Sequence, residues 1–67
     1  MNRRPVDSTH VAALGWDDDI LEVEFVSGHV YQYHDVPETE YQALLGADSI
    51  GRQLGLIKGR YQSTRLK

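Results

Sequence analysis

No cysteine occurs among the 67 residues, which excludes disulfides, thiolate metal sites and thiol nucleophiles and removes any need for an oxidising compartment. No run approaches the ~20 apolar residues that span a bilayer, and Met1 to Pro5 lead into no apolar segment of the signal-peptide kind. A soluble protein in a cytoplasmic setting, with no membrane partner, is the expectation. No acid follows Asp48. Residues 1–48 set two arginines against ten carboxylates, a net of −8, whereas residues 49–67 carry Arg52, Lys58, Arg60, Arg65 and Lys67 unopposed, a net of +5. Such asymmetry marks an interaction segment, or else cations that complement the negative end of a helix dipole. With a total of −3, sequence-blind duplex binding is not expected, because that affinity comes mostly from neutralised phosphates.

What is there is enough for one domain spanning 1–67, with its core over about 8–61 and flexible termini. At this length a single core supplies only roughly 3–5 kcal/mol. Ser8 to Trp16 reads as a first strand, although Ala12-Ala13 blurs its alternation, and Asp17-Asp18-Asp19 follows as a polar turn. Leu21, Val23 and Phe25 alternate with Glu22 and Glu24, the period of a strand with one buried and one wet face. Ser27-Gly28 is a turn signal, and Val30 to His34 a third strand rich in β-formers. Pro37 opens a helix with Glu38 and Glu40 in its first turn, where the dipole favours carboxylates. Gly46 ends it, and Asp48 or Ser49 caps the next. In that second helix Ile50, Leu54, Ile57 and Tyr61 form one apolar stripe. Gly51, Gly55 and Gly59 recur four apart, which close packing of that edge on the sheet would explain. Gln62 to Lys67 shows no pattern and is expected to fray.

The expected fold is therefore α+β: a three-stranded antiparallel meander near 8–16, 20–26 and 30–35, then helices near 37–46 and 49–61 on one face of the sheet. Leu14, Leu21, Val23, Phe25, Tyr41, Leu44, Leu45, Ile50, Leu54 and Ile57 should form the core.

Catalytic chemistry finds no foothold. His10, His29 and His34 form no helical ligand pair, and the aspartate run lacks the alternating acids, interior glycine and closing glutamate of a calcium loop. Ser8, Ser27 and Ser49 have no nucleophile elbow, and the glycines of the second helix lack the spacing and Lys-Ser/Thr of a phosphate loop. So short a chain also leaves little room for a water-excluding pocket. A non-enzyme is expected, with no catalytic residue, metal, cofactor or small-molecule substrate.

Strand register decides what Tyr31 and Tyr33 do. A two-residue Ser27-Gly28 loop sets Phe25 opposite Val30 and puts both tyrosines on the wet face, where adjacent aromatics stack bases at roughly 1–3 kcal/mol each. A three-residue loop sets Phe25 opposite Tyr31, Val23 opposite Tyr33, Glu24 opposite Gln32 and Glu22 opposite His34. The second register sorts apolar with apolar, and since a one-residue slip inverts every side chain it is preferred. Tyr31 and Tyr33 are then mainly core.

The Tyr31-Gln32-Tyr33, Val36-Pro37 and Ala47-Asp48-Ser49-Ile50-Gly51 segments, within a match from about Ser8 to Tyr61, resemble the KTSC domain, named for the C-terminus of certain lysyl-tRNA synthetases. Members are small stand-alone bacterial proteins or synthetase appendages. The chain departs from that pattern in having Leu54-Gly55 where relatives show an aromatic and an Asn, and Trp16 where a Tyr is usual. The resemblance implies RNA as a partner, bound by Arg52, Lys58, Arg60, Arg65 and Lys67 with Tyr31, Tyr33 or Tyr61 as stacking surfaces. The alternative is a protein-interaction module that docks on a larger partner or on itself through the sheet face the helices leave bare. In the RNA reading the cations form a diffuse collar around the second helix and tail, and charge reversal at Arg60 and Arg65 weakens binding.

Overall fold

The computed structural model describes residues 2–67; Met1 lies outside them. It has strands β1 (Arg4–Pro5), β2 (Val11–Asp17), β3 (Ile20–Phe25) and β4 (Val30–Tyr33), helices α1 (Glu38–Leu45) and α2 (Ile50–Arg60), and strand β5 (Ser63–Arg65). The class is α+β as expected, but the sheet has five antiparallel strands in the order β1-β2-β3-β4-β5, not three. Both extra strands come from segments without periodicity. Ser63–Arg65, expected to fray, runs along the free edge of β4 with Tyr31 opposite Arg65 and Tyr33 opposite Ser63.

Two turns set the meander. Asp18 and Asp19 have φ of 50° and 64°, the pair of left-handed residues that a tight hairpin needs, and Asp tolerates that region better than most side chains. The β3–β4 loop is Val26, Ser27 and Gly28: the Phe25 amide donates to the His29 carbonyl at 2.8 Å and the Gly28 amide to the Phe25 carbonyl at 2.9 Å. Gly28 takes φ of 98°, the left-handed position that closes a three-residue hairpin. The loop thus has the length of the preferred register but begins one residue earlier, so the pairs are Val23 with Tyr31, Leu21 with Tyr33 and Glu22 with Gln32. The faces come out as anticipated while the individual partners shift by one alternate pair. A register shift in β2 between Val11 and Ala13 accounts for the blurred alternation there.

Directly paired residues share a face of a sheet. Leu14, Val23, Tyr31 and Arg65 form one row and Trp16, Leu21, Tyr33 and Ser63 the next, both toward the helices. Leu14, Leu21, Val23, Leu44, Ile50, Leu54 and Ile57 are buried, with Phe25, Tyr41 and Leu45 packed partly buried against them. Val11, Tyr33 and Val36 complete the cluster. The Val36 amide donates to the Asp19 carbonyl at 2.8 Å, and the Trp16 indole N–H donates to the Val36 carbonyl at 2.8 Å. The segment leaving β4 is thereby pinned before α1 begins, and Trp16 stacks on Tyr41 at a centroid distance of 6.5 Å.

Helix α1 starts after Pro37, which serves as its N-cap, and ends at Gly46; Ser49 caps α2 by accepting from the Arg52 amide at 3.3 Å. The glycine stripe of α2 corrects its expected role. A Cβ built at Gly51, Gly55 or Gly59 meets nothing within 4 Å, because Ile50, Leu54 and Ile57 take the sheet-facing side and the glycines roll outward. Nothing in the packing requires them. Gly55→Ala should therefore stabilise the protein by ~0.5–1 kcal/mol, through lower unfolded-state entropy and higher helix propensity. Urea unfolding monitored at Trp16 measures it, and an unchanged or lowered midpoint would contradict the solvent-facing placement.

Candidate nucleic-acid interface

At the β3–β4 hairpin end the helix-facing side of the sheet is incompletely roofed. Phe25, Tyr31, Tyr33, Lys58 and Ser63 line an open groove of about 340 Å³ there. The Phe25 and Tyr31 rings meet edge to face, 5.7 Å apart at 88°, a favoured aromatic geometry. The Lys58 ammonium sits 5.1 Å from the Phe25 centroid, within cation–π range. Arg65 lies opposite Tyr31 in register, so a second cation borders the same aromatic pair. Its guanidinium approaches His29 Nδ1 at 3.0 Å.

Of the residues singled out from sequence, the structure gathers Tyr31, Tyr33, Lys58 and Arg65 around this groove and disperses the rest. Tyr33 is only 3% exposed, leaving Tyr31 and Phe25 as the reachable rings. Arg52 is exposed in the first turn of α2, six residues and roughly 9 Å of helix axis from Lys58. The Arg60 guanidinium donates to Glu40 Oε2 at 3.0 Å, and the Tyr61 hydroxyl donates to the same oxygen at 3.1 Å. Both are thus engaged in clipping α2 to α1. Lys67 runs beside the hairpin, its carbonyl accepting from the Val30 amide at 2.9 Å.

Sequence reasoning overlooked Phe25 and Ser63 as groove residues. Phe25 was assigned to the core by its alternation with Glu24, and the remaining signal was its place as the last residue before the loop, where cover runs out. Ser63 carried no signal at all before β5 was known to exist.

The opposite face is not a bare apolar surface. Its rows are Gly15, Glu22, Gln32 and Thr64, and Ala13, Glu24 and Val30. Glu22 is 8% exposed; it accepts from Gln32 Nε2 at 2.9 Å, and Arg3 Nε lies 3.5 Å from Glu22 and 3.6 Å from Glu24. The partner expected for Glu22, His34, instead places Nε2 2.7 Å from the Thr64 hydroxyl. Among the described residues no three His, Asp or Glu side chains gather into a metal cluster, and no helix is long and apolar enough to cross a membrane.

Two phenols ionise above their ordinary range. Burial raises Tyr33, with the neighbouring Tyr31 adding to it. Tyr61 is raised by desolvation, then by its hydrogen bond to the Glu40 carboxylate and that group's charge, against an opposing pull from Arg60. Since the unfolded Tyr33 phenol ionises at the ordinary 10.0, the unfolded chain sheds that proton first. Stability is fully present below pH 10.0 and falls as the pH rises through the higher folded value. Urea midpoints measured from about pH 9 to about pH 11 should drop, and less steeply for Tyr33→Phe, which lacks the titrating group; parallel profiles would show that Tyr33 is not the buried phenol responsible.

The KTSC domain model matches residues 7–61. A protein from Stutzerimonas stutzeri (strain A1501) is similar at 46% identity over 59 residues, covering 85% of this chain and 83% of that one. One from Tsukamurella paurometabola is 36% identical over 66 residues, covering 94% and 98% respectively. Among solved structures, the crystal structure of a KTSC domain protein from Yersinia pestis superposes with a TM-score of 0.91 at 36% identity, covering 98% of this chain and 97% of its own.

Proposed function

Since the chain belongs to the KTSC domain family, we propose that it is a small cytoplasmic binding module without catalytic activity, and that it takes single-stranded RNA at the hairpin-end groove. The observation that carries this reading is the placement of two cations by the Phe25–Tyr31 pair, Lys58 over the Phe25 ring and Arg65 opposite Tyr31 in register. Stacking surface with flanking cations is what unpaired nucleotides require: rings for the base face, ammonium and guanidinium for phosphate oxygens. A stacked duplex offers no free base face to such a groove, and the acidic remainder of the chain repels a long polyanion. The site is a local one, of about one nucleotide's width. It replaces the diffuse collar envisaged from sequence, because Arg60 is held by Glu40 and Arg65 belongs to a strand.

The test is titration of a fluorescein-labelled ten-nucleotide oligouridine against wild type and the double variant Lys58→Gln/Arg65→Gln, across a range of salt concentrations. Modest, salt-sensitive binding is expected for wild type. Loss of two phosphate partners should cut affinity about tenfold at low salt and flatten the dependence of log K on log salt by about 1.4, the single-strand increment for two contacts. Binding unaffected by the double substitution, or no binding at low salt, would remove the RNA reading and favour a protein partner.

A further inference from the structure

We infer that His29 is a protonation-sensitive latch on Arg65, holding that guanidinium while the imidazole is neutral and releasing it toward the groove when the ring is protonated. The inference rests on the RNA reading for its consequence, and on one shared atom for its mechanism. His29 Nδ1 lies 3.0 Å from Arg65 Nη2 and 3.3 Å from the Lys67 carbonyl oxygen. These contacts make opposite demands. A guanidinium only donates, so Nδ1 must be bare to accept from Arg65; a carbonyl only accepts, so Nδ1 must carry a proton to donate to Lys67. One nitrogen cannot satisfy both at once.

With the ring neutral, the charge-assisted bond from Arg65 favours the tautomer whose proton sits on Nε2. When the ring takes a second proton, Nδ1–H turns to the Lys67 carbonyl, and imidazolium and guanidinium repel across the former bond. Arg65 must then leave. His29 is the direct partner of Phe25 across the loop, so it shares that residue's face of the sheet, and Arg65 shares it through Tyr31. The released guanidinium therefore stays on the groove side, in the row of Tyr31 and next to that of Phe25.

Among the described residues, the acceptor within reach of Nδ1 is the Lys67 oxygen, which takes the imidazolium proton and leaves Arg65 without a partner there. From β5 and the tail the facing groups are Arg65 and the Lys67 oxygen; from α2 the charge on this side is Lys58, over the Phe25 ring; from β3 the facing residue is Phe25, which carries no charge. Among the described residues no Asp or Glu side chain bonds to His29 or Arg65. Acidification adds one positive charge to the groove rim and frees another.

Two readouts test the latch. In the free protein, imidazole ¹⁵N shifts at about pH 8 should report the Nε2–H tautomer of His29, with Arg65 side-chain resonances moving in step with its titration. A Nδ1–H tautomer, or Arg65 signals indifferent to that titration, would overturn the latch whatever the RNA does. With the same oligouridine at constant ionic strength, wild-type affinity should rise about three- to tenfold between about pH 8 and about pH 5.5. His29→Ala should bind more tightly than wild type at the higher pH, because Arg65 is free throughout, and should lose most of the pH dependence. Simple charge addition predicts the reverse order at high pH, so a His29→Ala variant weaker than wild type there would also overturn the proposal. Absence of RNA binding at every pH would defeat the RNA reading alone, and the tautomer measurement would still decide the latch.

Discussion

The closure of Phe25 onto His29 across Val26, Ser27 and Gly28 fixes more of this protein than any other contact. It sets β4 against β3 so that Tyr33 falls beside the fully buried Leu21 and Tyr31 beside the fully buried Val23. A two-residue Ser27-Gly28 loop would invert β4, placing Tyr31 opposite Glu24 and Tyr33 opposite Glu22 and leaving Gln32 among the core side chains. Because β5 pairs with β4, its register inherits the same choice: Ser63 and Arg65 face the helices only because Tyr33 and Tyr31 do. The groove, its two cations and the His29 contact are all downstream of one left-handed glycine.

The charge segregation of the sequence becomes, in three dimensions, a division of labour among cations. Glu40 binds Arg60 and also accepts from Tyr61, tying the end of α2 to the first turn of α1. Arg3 serves the carboxylates of β3 on the opposite face of the sheet. Pairs whose cation stays exposed to solvent, as Arg60 does, are worth little individually, about 0–1 kcal/mol, but these contacts decide which positive charges are left without a carboxylate. Lys58 is left with only an aromatic ring beneath it and Arg65 with only an imidazole and a ring beside it. Neither is neutralised by a carboxylate among the described residues.

The parts of this fold legible in sequence were those that bury a patterned face. β3 and α2 each present apolar residues at the right period, and their buried sides match the alternation of Leu21 and Val23 and the stripe of Ile50, Leu54 and Ile57. β1 and β5 could not be seen that way. Arg4–Pro5 and Ser63–Arg65 are exposed throughout, so no side-chain pattern records them; they are strands because β2 and β4 present unpaired backbone groups, and edge pairing asks little of side chains. The glycines of α2 misled for the converse reason, since spacing alone does not say which way a helix is rolled. At the site, the aromatic and basic residue types were visible, but their selection was not: Arg60 and Tyr61 left the candidate set through a long-range contact with Glu40, and Ser63 entered through a strand without a signature.

The same geometry limits how a site of this kind can recognise anything. In the proposed RNA reading, phosphate contacts by Lys58 and Arg65 would position a strand without reading it, and edge-to-face rings would accept any base. The uncharged hydrogen-bonding side chains lining the groove are Ser63 and the two tyrosines, and Tyr33 is almost wholly buried. Under the proposed RNA reading, specificity would then have to come from conformation, an unpaired nucleotide offering the rings a free base face that a stacked helix does not. A module with that character contributes affinity most effectively when another contact has already delivered the strand, because a weak local site gains from a high effective concentration. The ten carboxylates of residues 1–48 would work in the same direction, opposing a long polyanion along the rest of the chain.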